Sequence, residues 1–119
     1  MTQETIKDLT LKELDQFFGS ENYYKILGYN VTDGVFYVMQ NGYSWFITDF
    51  LSLIVTNHKG LRNQEFLSIN LKKDGNKWFM IVTDGNENVL YKQKYLLTDA
   101  QKEINLYFCN GVLMLSNEY

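Results

Sequence analysis

The side chains able to do chemistry in this chain are few and scattered. One cysteine, Cys109, and one histidine, His58, could supply a nucleophile and its base. Cys109 abuts the Asn110-Gly111 turn, however, and no nearby Asn or Asp stands out to orient the imidazole. It reads as a packing or strand-end cysteine. A lone histidine with no second His or Cys at ligand spacing makes no metal site, and His58 reads as a cation at a helix end or as an inert surface residue. Among the carboxylates, Asp33, Asp49, Asp84 and Asp99 are candidates for acid–base work, of which Asp33 and Asp84 are accounted for by a helix start and a turn. Asp49 differs. It falls inside a helix beside Trp45 and Phe46, close to the apolar stripe, and a buried carboxylate needs a partner. Tyr23 or Tyr24 is the expected one. The glycines stand singly in turns, so no phosphate loop is present. The expectation is a non-enzymatic protein with no catalytic residues, no bound metal and no cofactor.

Aromatic and basic residues leave two binding chemistries. Tyr23-Tyr24 with Lys25 resembles the stacking pairs of single-strand binders, but Arg62 is the only arginine and the net charge is −3 with pI near 5.0. Nucleic acid is therefore disfavoured as a partner. Tyr23, Tyr24, Tyr29, Trp45 and Asp49 together form a candidate ligand pocket between helices and sheet, suited to a small molecule or nucleotide.

The elements that must position these residues follow from caps, periodicity and turns. Thr10-Leu11-Lys12-Glu13 is a capping box, and Leu11, Leu14, Phe17 and Phe18 follow helical spacing up to Gly19. Ser20 to Tyr29 gives no assignment. Thr32-Asp33-Gly34 reads as a helix start and Asn41-Gly42 as its end, with Val35, Val38 and Met39 inward; a strand over the β-rich run from Val31 to Val38 competes. Ser44 caps a further helix whose Phe46, Ile47, Phe50, Leu51 and Ile54 make one apolar face. Thr48, Ser52 and Thr56 recur on the opposite side. His58 and Lys59 fall in its last turn and Gly60 ends it.

The second half reads as strands. Asp74-Gly75, Asp84-Gly85 and Asn110-Gly111 are hairpin signals. A two-residue loop at Asp74-Gly75 pairs Leu71 with Trp78, Ile69 with Met80 and Leu67 with Val82, all on one face. Val89 and Tyr91 join that face. Asn110-Gly111 pairs Phe108 with Leu113 and Leu106 with Leu115. The fold class is α+β: an antiparallel meander of four to five strands in the C-terminal half, with two to three N-terminal helices on one face. At 119 residues a single domain spans the chain.

The same register predicts a second apolar sheet face. Phe66, Phe79, Ile81 and Leu90 fall there, with Tyr107, Val112 and Met114 as neighbours and Lys72, Lys77, Lys92 and Lys94 around the first group. A sheet covered on one side by helices should be polar on the other. An uncovered apolar face implies a contact surface for a protein partner or for a second copy. On the bland reading the lysines are long stems lying over apolar surface with solvated heads.

The bulk numbers agree with a cytoplasmic protein. A single cysteine rules out an internal disulfide, the N-terminus has no basic region before an apolar run, and no stretch is long and apolar enough to span a membrane. Acids exceed bases seven to four up to Gly60 and balance at seven each beyond it.

Several ordered segments carry a family resemblance. They are Phe18-Gly19-Ser20-Glu21-Asn22-Tyr23-Tyr24, Val31-Thr32-Asp33-Gly34-Val35, Tyr43-Ser44-Trp45-Phe46-Ile47-Thr48-Asp49, Asp84-Gly85-Asn86-Glu87-Asn88-Val89-Leu90-Tyr91, and the tail from Leu106 to Tyr119. In this order the chain resembles a family of small proteins, of a domain of unknown function, encoded by phages, plasmids and other mobile elements. Members often carry His-Trp after the double tyrosine, where this chain has Lys25-Ile26-Leu27. They also often carry proline in the last connection and before the final Glu-Tyr, where this chain has Asp99-Ala100-Gln101-Lys102 and Ser116-Asn117. The resemblance implies a mobile-element origin, a compact α+β fold and no particular activity. Combined with the second apolar face, it leads to the expectation of an interaction protein that inhibits a host defence effector of the CRISPR or restriction kind.

Overall fold

Glycine bends set the register of the sheet. A computed structural model of the chain describes residues 23–96, 98 and 100–119. In it β6 (Ile104–Cys109) and β7 (Val112–Leu115) meet at Asn110-Gly111. Both bend residues take positive φ, 54° and 76°, the sign pattern of the type I′ turn whose twist suits paired strands. Phe108 faces Leu113 and Leu106 faces Leu115, the register expected from sequence. Between β3 (Phe66–Asp74) and β4 (Lys77–Thr83) the bend falls one residue later than expected, at Gly75-Asn76. Gly75 takes the first loop position with φ +67°, a conformation that costs glycine nothing. Leu71 therefore faces Met80 and Ile69 faces Val82. Each pairing moves by two residues, and an even shift preserves the faces. Leu67, Ile69, Leu71, Trp78, Met80 and Val82 all lie inside and are buried.

β5 (Val89–Tyr95) joins β4 through a bulge at Val82/Thr83. Tyr91 faces Val82, as the core-face expectation requires, but Val89 faces Thr83. The extra residue flips the strand end, and Val89, expected inside, is 59% exposed.

The meander expectation fails in three respects. First, β5 does not hand over to an adjacent β6. The connection carries the chain past β4 and β3, and β6 pairs with the far edge of β3, Leu71 facing Ile104 and Leu67 facing Phe108. Second, the unassigned segment is itself a hairpin, β1 (Tyr23–Ile26) and β2 (Tyr29–Thr32) around Leu27-Gly28. Leu27 sits at φ 51°, where a branched side chain is rarely found, so no turn signal marks it. Third, β2 runs parallel to β7. The sheet has seven strands in the order β1-β2-β7-β6-β3-β4-β5 and is mixed.

Two α-helical stretches cover its inner face. Thr32 ends β2 and caps α1 (Asp33–Val38), its Oγ1 accepting from the Val35 amide at 3.3 Å. The strand alternative for this run therefore stops at Thr32. A π-helical turn, Met39–Tyr43, contains the expected break at Asn41 and Gly42, the latter at φ 102°. α2 (Ser44–Val55) follows. Ser44 is its first residue and not its cap; the Ser44 hydroxyl donates to the Met39 carbonyl at 3.2 Å. Phe46, Ile47, Phe50, Leu51 and Ile54 form one core with Val35, Val38 and the inner strand residues. On the far side Thr48, Ser52 and Thr56 each donate back to a carbonyl four residues earlier, at 2.7–2.9 Å.

The end of α2 also differs from expectation. It stops at Val55 with Thr56 as cap, and Asn57 takes the left-handed position at φ 53°. His58 and Lys59 lie beyond it, in the 3-10 segment His58–Asn63. The cation on the helix C-terminus is Arg62: Nε donates to the Ile54 carbonyl at 3.2 Å and Nη2 to that of Val55 at 2.6 Å. The helix expected from Leu11 to Phe18 lies outside the described residues. No helix among the described residues is long and apolar enough to cross a membrane.

Partly buried polar contacts tie the connections to the core. The Tyr43 hydroxyl accepts from the Gln101 and Lys102 amides at 2.9 and 3.1 Å, holding the β5–β6 crossover. At the C-terminus, the Glu118 carboxylate accepts from the Thr32 hydroxyl at 2.6 Å and from the Leu115 amide at 2.9 Å. Gly34 leaves room for this: a Cβ there would come within 2.6 Å of Leu115 Cδ1. Tyr43→Phe orphans two backbone amides at once. Urea unfolding should show a loss of about 1–2 kcal/mol, the usual cost of unmaking partly buried hydrogen bonds; an unchanged midpoint would show that Tyr43 does not hold the crossover.

Candidate functional site

Alternation from the fixed register assigns the outer face. β3 presents Phe66, Ser68, Asn70 and Lys72 there, β4 presents Lys77, Phe79 and Ile81, and β5 presents Lys92 and Lys94. Lys72, Phe79 and Lys94 lie on one rung and Asn70, Ile81 and Lys92 on the next. Phe79 is thus flanked by lysine on both neighbouring strands. A third ammonium, Lys92 Nζ, stands 4.6 Å from its ring centroid, within range of a cation–π attraction. Lys77 opens β4 opposite Asp74. Phe79 and Ile81 are half-buried and the four lysines exposed.

Two residues expected in this group lie elsewhere. Phe66 is separated from the rung of Asn70 and Ile81 by that of Ser68 and Thr83 and packs instead with Tyr107 and Tyr119, ring centroids 4.9 and 5.4 Å away. Tyr107 and Tyr119 complete the trio at 5.3 Å. Gly85 lies over the Phe66 ring, where a Cβ would come within 2.9 Å. Leu90 belongs to the bulge and packs against the core. The outer face therefore has two apolar parts, Phe79 with Ile81 among lysines, and an aromatic trio on β3, β6 and the C-terminal turn. Val112 and Met114 lie on the β7 side of the second part.

The five residues of the expected ligand pocket are not brought together. Tyr23 is 56% exposed on the edge strand. Tyr24 stacks on Phe36 at 4.0 Å and 8°, and Tyr29 meets Phe108 edge-on at 5.6 Å. Only Trp45 and Asp49 remain close, and their partner is Tyr95, not Tyr23 or Tyr24. The Tyr95 hydroxyl donates to Asp49 Oδ2 at 3.0 Å, and its ring meets Trp45 at 4.9 Å. Tyr95 closes β5, so this contact joins α2 to the sheet edge. Burial raises the Tyr95 phenol well above the usual tyrosine range, and the Asp49 carboxylate adds to the shift.

A cleft that sequence reasoning missed opens at the other end of the sheet. Tyr29, Arg62, Phe66, Phe108, Cys109 and Tyr119 are among its lining residues, and its volume is about 650 Å³. It is assembled from four separate stretches of chain, and no local motif announces it. Cys109 and His58 do not meet as an acid–base pair in it: His58 packs edge-on against Tyr91 at 5.2 Å and is absent from the cleft lining. Asp84 is occupied by its own turn. Its carboxylate accepts from the Asn88 side chain at 2.8 Å and the Asn86 amide at 2.8 Å, which hold its pKa below the usual value. Asp99 lies outside the described residues. No cluster of metal-ligating side chains occurs among the described residues.

A family model matches residues 8–119 of the chain, and the chain belongs to that family, one of unknown function, DUF6876. No curated protein and no solved structure matches it.

The raised Tyr95 phenol gives stability a direction with pH. Its folded pKa lies above the unfolded value of 10.0. The contribution is therefore complete below pH 10 and falls as pH rises, because the unfolded chain ionises first. Thermal unfolding from pH 9 to 11.5 should show a steeper decline for the native chain than for Tyr95→Phe. Identical slopes would refute the assignment.

Proposed function

We propose that this member of the DUF6876 family is a non-enzymatic interaction module that docks a protein partner on the outer face of β3, β4 and β5. The observation that carries the reading is Phe79 and Ile81, apolar and half-buried among Lys72, Lys92 and Lys94, on the face opposite α1 and α2. An apolar centre with a charged rim is the anatomy of a protein interface. The rim also selects the partner. A twofold self-contact sets a patch against itself, which here would press lysine against lysine. A partner with an apolar knob ringed by Asp and Glu meets complementary charge instead. The resemblance to proteins of phages and plasmids supports a sharper version, in which that partner is a host defence effector of the CRISPR or restriction kind and docking inhibits it.

A second reading, a small-molecule or nucleotide module, draws support from the cleft beside Tyr29, Phe108 and Tyr119, whose volume of about 650 Å³ lies in the ordinary range for ligand sites. Its ligand would touch Tyr29 alone of the five residues first expected to form a pocket.

The docking reading is tested with Phe79→Asp and Ile81→Asp. Both side chains face outward, so light scattering should report a monomer and urea unfolding a midpoint close to that of the native chain. A host protein retained by the native chain, once purified and titrated, should bind each variant roughly 30-fold more weakly or worse, the loss of about 2 kcal/mol that marks an interface hot spot. The charge reversal Lys94→Glu, which leaves the apolar residues in place, should slow association. Undiminished binding by all three variants would overturn the proposal.

A further inference from the structure

The hairpin bends decide which backbone groups the edge of the sheet leaves open. Asp74 and Lys77 flank the two-residue bend between β3 and β4, and residues so placed are joined by the hydrogen bond of the turn itself. Bonded and unbonded pairs then alternate along an antiparallel ladder. On β4, Lys77, Phe79 and Ile81 therefore turn their backbone groups toward β3, and Trp78, Met80 and Val82 turn theirs toward β5. Counting from the β6–β7 bend through the β6–β3 ladder gives the same parity. The Lys73 amide agrees with it, pointing away from β4 to donate to Glu103 Oε2 at 3.0 Å. Trp78, Met80 and Val82 face Tyr95, Gln93 and Tyr91. Those three thus bond to β4, and Lys92 and Lys94 direct their amides and carbonyls outward. Among the described residues β5 ends the sheet, so these groups meet no further strand.

We infer that the protein partner docks by strand addition, an extended segment of it pairing along β5 with Asp or Glu opposite Lys92 and Lys94. The inference rests on the docking reading and adds the form the partner takes. Lys92 and Lys94 are exposed on the outer face, and residues directly opposite one another share a face. Each of these two positions therefore offers a backbone pairing and an ammonium together, and a carboxylate residue set there gains both. A second copy does not fit. β5 paired antiparallel with itself over its full length sets Lys92 against Lys92, and like charges directly opposite are destabilising. A neutral strand gains the backbone pairing alone, and lysine on an edge guards against such indiscriminate pairing. The other edge, β1, has four residues against seven in β5 and a single lysine, Lys25. Strand addition also acts on the apolar centre. Lys92 Nζ stands 4.6 Å from the Phe79 ring centroid. Drawn to a carboxylate beyond the edge, it leaves the ring open to the rest of the partner.

The test is amide hydrogen exchange of the full chain, read residue by residue by ¹⁵N NMR. The probe is a synthetic peptide of alternating threonine and glutamate, blocked at both ends, at millimolar concentration and low ionic strength. In the chain alone the amides of Lys92 and Lys94 should exchange much faster than that of Gln93. The peptide should slow Lys92 and Lys94 severalfold and leave Gln93 as it was. A counterpart with lysine in place of glutamate should change neither. Protection of Lys92 and Lys94 in the chain alone, exchange unmoved by the glutamate peptide, or equal slowing by the lysine peptide would overturn the inference. Exchange is read without the partner protein, so a failure here leaves the docking reading standing. A partner that binds Phe79→Asp undiminished would sink that reading and leave the exchange pattern as it is.

Discussion

Strand β3 is the constraint on which the rest of the sheet depends. It pairs antiparallel with β4 on one side and with β6 on the other. Leu67, Ile69 and Leu71 point inward along it and are fully buried. A slip of one residue would exchange them for Phe66, Ser68, Asn70 and Lys72. Burial of one Leu or Ile side chain contributes about 1.5–3 kcal/mol, so the slip would forfeit much of a domain's net stability and bury an ammonium besides. The inner residues thus fix the register without help from the outer ones. Outward positions on β3 and β4 are free to be polar, as Ser68 and Asn70 are. Phe79 and Ile81 are not required by the core, and their apolar character calls for a different account.

Polar contacts finish what apolar burial begins. Hydrophobic packing holds α2 on the sheet but is indifferent to small rotations, whereas hydrogen bonds have direction. Tyr43 fixes the crossover to the junction between α1 and α2. Tyr95 fixes the last residue of β5 to Asp49. Arg62 fixes the approach to β3 against the end of α2. The Tyr43 and Tyr95 contacts link helical elements to parts of the chain 46 to 59 residues away, the Arg62 contact is local, and together they orient the helical layer at three separate places.

Much of this was legible locally and little of it globally. Asn110-Gly111 announced its turn because both residues tolerate positive φ, and the pairing counted from it was correct. The bend after Asp74 was displaced by one residue without harm, since parity survives an even shift. Leu27-Gly28 carried no signal because leucine at positive φ is uncommon, and a hairpin was missed with it. The placement of β6 beside β3 depends on an edge created far away in sequence, which alternation cannot report. Asn57 in place of Gly60, and Arg62 in place of His58 and Lys59, go with hydrogen bonds among residues 54–62 that propensity alone does not report. The candidate face was readable where regular pairing extends and failed at the bulge, where Val89 and Leu90 left their expected sides. The pocket residues were grouped by type, and type says nothing of distance: Tyr24 found Phe36, Tyr29 found Phe108, and Asp49 found Tyr95.

The arrangement of lysine around Phe79 bears on how such a face stays quiet in isolation. Lysine stems cover apolar carbon while the ammonium groups remain hydrated, and Lys92 places its charge over the ring itself. A cation–π contact at an exposed site contributes only about 0.5–1 kcal/mol, and a long flexible side chain surrenders such a position readily. Cover of this kind hides Phe79 from indiscriminate association and yields to a carboxylate that draws the ammonium aside. Ile81 has Asn70 and Lys92 as its rung neighbours, neither of which can replace apolar contact. On the docking proposal, the lysine rim would be the selective element, since an acidic surface displaces such groups and a neutral one does not, and the apolar centre would be the source of affinity.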